Sequence, residues 1–157
     1  MHTIGESAFG SCTALEHISL GKDMINIGAG AFQSSYNIKT ITCHNTSPHA
    51  IDNSWANGVF STEVVNTAML IVPQGSLNTY KSTDGWKDFK HIIEQQSTTG
   101  DVNNDNQVNA TDVVAVYNHI GGTINDDAVA YYADINQDGI VNSADVVSIY
   151  NIIVDGK

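Results

Sequence analysis

Apolar positions recur along this chain at two different spacings. Residues 4–26 and 27–49 align at a period of 23: Ile4-Gly5 with Ile27-Gly28, Ala8-Phe9 with Ala31-Phe32, Leu15 with Ile38, Ile18 with Ile41, and Leu20 with Cys43. Within each unit an L-x-x-I-x-L core predicts a short strand. Leu15, Ile18 and Leu20 then face inward and Glu16, His17 and Ser19 outward, with Lys39, Thr40 and Thr42 as the second outward set. The Ala-Phe pair is expected to cover the far side of the same core, with the glycine making the tight turn into it.

A third unit is degenerate. Residues 47–58 form a polar, turn-rich insertion, Val59-Phe60 stands in for Ala-Phe, and Met69–Val72 reads as a strand ended by Pro73. Stacked repeats leave the last apolar face open and need a cap. Residues 75–80 and 84–89 offer short helical segments carrying Leu77, Tyr80, Trp86 and Phe89 for that purpose, and His91–Glu94 a final strand.

Past residue 100 the spacing changes to i, i+3, i+4, i+7. Val113, Val116, Tyr117 and Ile120 recur 33 residues later as Val146, Ile149, Tyr150 and Ile153. This predicts one helical face per repeat, stopped by Gly121-Gly122 and by Gly156. The placement points Tyr117 and Tyr150 to the core, the alternative being a partner contact. Residues 125–132 read as a short helix with an acidic start suited to its dipole, and residues 95–100 as linker, so no comparable helix precedes the first loop.

Each ladder is preceded by a twelve-residue loop, 101–112 and 134–145, aligned without a gap. Oxygen-bearing side chains fall at loop positions 1, 3, 5, 9 and 12: Asp101, Asn103, Asp105, Asn109 and Asp112, then Asp134, Asn136, Asp138, Asn142 and Asp145. At position 7, Gln107 and Ile140 each offer a backbone carbonyl. That spacing is the EF-hand pattern, in which a tight loop turns six to eight oxygens toward a hard cation at about 2.3–2.6 Å. Gly139 sits at the sharp turn of position 6, where the first loop has Asn106, a residue that tolerates left-handed backbone. Val108 and Val141 at position 8 are expected to pair as a short strand. The competing reading is a pair of Asx-rich surface turns, but two loops in one register, each leading into the same ladder, argue for two Ca²⁺ ions.

On these loops and ladders residues 99–157 resemble a type I dockerin domain, a duplicated loop–helix calcium module. The resemblance implies docking of a secreted or surface protein onto a cohesin-like partner. It also implies recognition at loop positions 10 and 11, here Ala110-Thr111 and Ser143-Ala144, and at helix positions Tyr117-Asn118 and Tyr150-Asn151. Residues 4–94 resemble the BspA-like leucine-rich repeats of bacterial surface proteins, including their terminal V-P-x-G-S-x-x-x-Y-K-x-x-x-G-W-x-x-F segment, here residues 72–89. That resemblance implies binding of proteins or other surface ligands, without catalysis.

Charge fits this division. Residues 1–95 hold eight acids and five Lys, net −3, whereas residues 96–157 hold nine acids and one Lys, net −8. Six of those nine acids are candidate calcium ligands, and two bound ions would bring −8 to −4. With no basic patch, a nucleic-acid or anionic-membrane partner is not expected, and with no long apolar run, neither is membrane insertion. The six histidines form no His-x-x-x-His pair, and there is no Gly-x-Ser-x-Gly elbow or P-loop, so the chain does not read as an enzyme. Cys12 and Cys43 occupy different repeat positions and are expected as buried free thiols. Asn45-Thr46-Ser47 fits a glycosylation sequon. The first residues show no leader, and the chain opens inside a repeat, as expected of a piece of a longer secreted protein.

The expected fold is α+β: a short leucine-rich-repeat solenoid with its end cap over 1–94, a linker over 95–99, and a small all-α calcium-binding dockerin-like domain over 100–157. The expected protein is a monomeric, secreted or cell-surface binding and assembly protein, with a cohesin-like or other host or bacterial surface protein as partner. The alternative is that the calcium module packs on the repeats as an intramolecular stabiliser with no separate partner.

Overall fold

The computed structural model describes residues 2–54, 58–96 and 98–155. Trp55, Ala56 and Asn57 of the insertion, Ser97 of the linker and the expected stop Gly156 lie outside the described residues. The chain divides into two compact units, Met1–Gln95 and Gln96–Lys157. It is mixed α and β, with parallel sheets.

In the first unit the 23-residue period becomes strand register. Strands β1 (His2–Ile4), β2 (His17–Leu20), β3 (Met24–Ile27) and β4 (Thr40–Cys43) come from the first two repeats. Parallel β2 and β4 align His17 with Thr40 and Leu20 with Cys43, each one period apart. Beyond them follow α1 (Thr62–Thr67), β5 (Met69–Val72), α2 (Leu77–Ser82), a single 3₁₀ turn (Trp86–Asp88) and β6 (His91–Glu94). The main sheet runs β2-β4-β5-β6, all parallel. Ile18, Leu20, Ile41, Cys43, Leu70 and Val72 fill its inner face, as alternation along each strand dictates. A second sheet, β1 beside β3, was not expected, since Ile4 and Ile27 were read only as positions leading into glycine turns.

The far side of this core is an aromatic column. Phe9, Phe32 and Phe60 stack with centroids 5.3 and 5.1 Å apart and planes 5° and 6° from parallel. Backbone bonds hold the rings in step: Phe9 N donates to Ala31 O at 2.8 Å and Phe32 N to Val59 O at 2.9 Å. Phe60 thus takes the degenerate repeat's Phe place. The column ends against Trp86 and Phe89, with Tyr80 edge-on to Trp86, and all three cap residues are buried. Helix α1, unforeseen in the sequence, is capped by Ser61, whose hydroxyl accepts from Val64 N, and buries Val64 and Val65. Both cysteines are free; Cys43 is buried, and Cys12 is only half-buried.

The second unit has three helices among its described residues, α3 (Ala110–Ile120), α4 (Asp127–Ala133) and α5 (Ser143–Asp155). Val102, Ala115, Val116, Ala133, Val146 and Ile149 form its core. The expected strand pair between Val108 and Val141 is absent among the described residues: neither lies in a strand or bridge. Both side chains instead lie half-buried against the core.

Candidate metal centre and docking face

The two loops share one main pattern of bonds. Asp101 accepts from Asp105 N at 3.0 Å and Asn106 N at 2.9 Å, and Asp134 accepts from Asp138 N at 3.1 Å and Gly139 N at 2.9 Å. Asn103 and Asn136 each accept from the backbone two residues on, and so do Asp105 and Asp138. Asn109 and Asn142 cap the helices by accepting from Thr111 N at 2.9 Å and Ala144 N at 2.8 Å. Each loop closes through its last residue. Asp112 accepts from Asn103 N at 3.1 Å and Asn109 N at 2.8 Å, while Asp145 accepts from Asn136 N at 3.3 Å and Asn142 N at 2.9 Å.

Left-handed backbone falls at positions 4 and 6 of both loops: Asn104 and Asn106 at φ 59° and 67°, Gln137 and Gly139 at 58° and 84°. The turn at position 6 was legible from Gly139 and Asn106. Position 4 was not, because Gln137 is no ordinary turn residue.

These groups fit a hard cation by their donor chemistry. Each carboxylate oxygen keeps a second lone pair after accepting one N–H, and Asp, Asn and backbone oxygens are what Ca²⁺ takes. Among the described residues no three His, Cys, Asp or Glu side chains gather into a metal-holding group; the loop oxygens face backbone N–H groups. Burial, however, leaves a charge to be answered. Asp101, Asp112 and Asp145 are each 0% exposed, and the only Lys or Arg from residue 96 onward is Lys157. Buried carboxylates need hydrogen-bond donors and, as a rule, a countercharge; backbone N–H groups supply the donors here. Gln107 is exposed, and the Ile140 carbonyl accepts from Asn142 Nδ2 at 3.0 Å beneath an exposed side chain.

The candidate docking positions are all on α3 and α5 or their first turns. Ala110, Thr111, Ser143, Ala144 and Asn151 are exposed and Asn118 is half-buried. Tyr117 and Tyr150 overturn the core expectation: they are 56% and 60% exposed. The reason lies one turn earlier. Asp112 and Asp145 must face inward to close their loops, so the buried face centres on Asp112, Ala115 and Val116 and on Asp145, Val146 and Ile149. At about 100° per residue, this rotates Tyr117 and Tyr150 into solvent and leaves Ile120 and Ile153 largely exposed. The exposed set extends to Val114 and Val147, giving V-x-x-Y-x-x-I on each helix. That outward stripe was missed, although the same i, i+3, i+6 spacing was present in both repeats.

The histidines, including His44 and His49, join no metal-holding group among the described residues. Asn45 of the sequon has its side chain engaged at both ends: Nδ2 donates to Met24 O at 3.2 Å and Oδ1 accepts from Ser47 N at 2.9 Å. No helix among the described residues is long and apolar enough to cross a membrane.

Residues 99–153 match the dockerin type I domain, and residues 1–69 match the BspA type leucine rich repeat region. No curated protein matches the chain. Both are non-catalytic interaction domains typical of secreted or surface proteins, and type I dockerins are calcium-binding and generally bind cohesins. With the repeat register in one unit and the duplicated loop–helix geometry in the other, the chain joins a BspA-type leucine-rich repeat region to a C-terminal type I dockerin domain.

Proposed function

We propose that this is a non-catalytic binding and assembly protein of the cell surface or secreted fraction. Residues 100–157 are a small all-helical module that holds two Ca²⁺ ions and docks onto a cohesin-like partner. Residues 1–94 are a short capped solenoid that binds a protein or surface ligand, the chain acting as a monomer. The observation that carries this reading is the loop duplication around three buried carboxylates with no basic side chain near them in sequence.

In each loop the ligands are Asp101, Asn103, Asp105, the Gln107 carbonyl, Asn109 and Asp112, and Asp134, Asn136, Asp138, the Ile140 carbonyl, Asn142 and Asp145. Bound calcium supplies the positive charge that these carboxylates lack. The chain's own part is to hold Asp112 and Asp145 at the helix starts, so that loop closure fixes the direction of α3 and α5. The paired V-x-x-Y-x-x-I stripes then stand ready as a protein-facing surface, since exposed contiguous apolar side chains mark interaction sites. Tyr117-Asn118, Tyr150-Asn151, Ala110-Thr111 and Ser143-Ala144 border them. The pairs Ala110-Thr111 and Ser143-Ala144 differ, which favours one of two pseudo-equivalent docking orientations.

The test is capture on the immobilised chain from envelope and secreted fractions, in calcium and in EGTA. The reading expects a partner retained only in calcium and lost on Asp101→Ala with Asp134→Ala. A module acting solely as an intramolecular stabiliser would retain no calcium-dependent partner, and its loss would lower the melting temperature of the repeat half.

A further inference from the structure

The two loops part company at position 11. In the first loop that residue is Thr111, and its hydroxyl joins two candidate ligands: it accepts from Asn103 Nδ2 at 2.9 Å and donates to Asn109 Oδ1 at 2.9 Å. Loop positions 3 and 9 are thereby tied to each other through one side chain. The Asn103 amide is then fully used, since its Nδ2 also donates to Asp105 Oδ2 at 3.0 Å and its Oδ1 accepts from Asp105 N at 3.0 Å.

In the second loop position 11 is Ala144, which has no hydroxyl. Asn136 Nδ2 keeps its bond to Asp138 Oδ2 at 2.9 Å, but nothing of this kind ties it to Asn142. Asn142 turns its amide on the loop itself, donating from Nδ2 to the Ile140 carbonyl at 3.0 Å. That carbonyl is the candidate ligand at position 7. Of its two lone pairs, one is already taken. Burial points the same way. The first loop buries both of its end carboxylates, Asp101 and Asp112, whereas the second buries Asp145 and leaves Asp134 half-buried. Opposite charges attract more strongly where water is excluded.

We propose that Thr111 is a positioning residue of the first loop, and that through it the two loops take calcium in order, residues 101–112 first and 134–145 second. This rests on the calcium reading of the loops and leaves their ligand set as it stands. Asp145 both closes the second loop and lies in the first turn of α5. The second filling is therefore the one that fixes α5 and its outward stripe.

Calcium titration of the full chain, followed by the amide shifts of both loops, tests the order. Two midpoints are expected, with residues 101–112 saturating at about tenfold lower calcium than residues 134–145, the scale set by one or two hydrogen bonds. The amides of α5 should follow the second midpoint. Thr111→Val removes the hydroxyl at nearly constant shape from an exposed position. It should raise the first midpoint severalfold and leave the second in place, while Thr111→Ser restores the separation. Ala144→Thr gives the second loop the missing hydroxyl and should bring its midpoint down toward the first. A merely structural hydroxyl would lower the melting temperature in EGTA and leave the separation of midpoints unmoved. The inference is overturned if the loops fill together or in the reverse order, or if Thr111→Val leaves the separation unchanged. In those outcomes both loops still respond to calcium and the calcium reading stands. Silence of both loops throughout the titration would sink the two together.

Discussion

Asp112 closes its loop through Asn109: its Oδ2 accepts the Asn109 amide at 2.8 Å while its Oδ1 accepts the Asn103 amide at 3.1 Å. The same carboxylate therefore ends the metal loop and caps α3. Asp105 is exposed and bonds only within the loop. Asp112→Ala should lower stability by about 1–3 kcal/mol even in EGTA, from a lost cap and buried N–H groups left unpaired. Asp105→Ala should lower calcium affinity and leave the stability without metal nearly unchanged. Thermal melts of both variants, each with and without calcium, separate the two effects.

Phe32 is sandwiched between Phe9 and Phe60 and is nearly fully buried, whereas Phe9, at the end of the column, is exposed. Phe32→Ala should cost about 3–5 kcal/mol, the range for a buried aromatic, and Phe9→Ala much less. Urea unfolding monitored by tryptophan fluorescence compares them.

Burial pushes the Cys43 thiol from its ordinary 9.0 up to about 12, with a hydrogen bond to Tyr80 pulling the other way. Burial raises the Tyr80 hydroxyl as well. The folded form thus holds the Cys43 proton more tightly than the unfolded chain does. Its contribution to stability is complete below pH 9 and is lost as pH climbs toward about 12. Urea midpoints of the repeat half should fall over that window, and Cys43→Ala should flatten the fall.

Tyr117 and Tyr150 are exposed, so replacing either by Ala should move stability by no more than about 0.5 kcal/mol. If the stripes dock a partner, the same changes should weaken calcium-dependent capture severalfold, with the double variant weaker than either. Equal capture by all three variants would place docking elsewhere.

Much of this was legible because chemistry fixed the spacing. A 23-residue period must become strand register, and oxygens at loop positions 1, 3, 5, 9 and 12 must converge if the loop closes. What escaped was set by context. The Tyr117 ladder looked like a core face until the inward demand of Asp112 rotated α3. Strands β1 and β3 are too short to show a period of two, and α1 depends on a Ser61 cap whose value comes from the buried Val64 beside it. Gln137 at φ 58° follows its loop, not its own preference.

The most direct test of the central claim is calorimetric titration of the intact chain with calcium, alongside far-ultraviolet dichroism in EGTA. The account predicts two ions bound, one lost on Asp101→Ala and one on Asp134→Ala. It also predicts that helical signal from residues 110–155 falls in part on chelation while the repeat half stays folded, because metal stabilises only the form that presents the loops. No calcium uptake, with dichroism unchanged in excess EGTA, would contradict it.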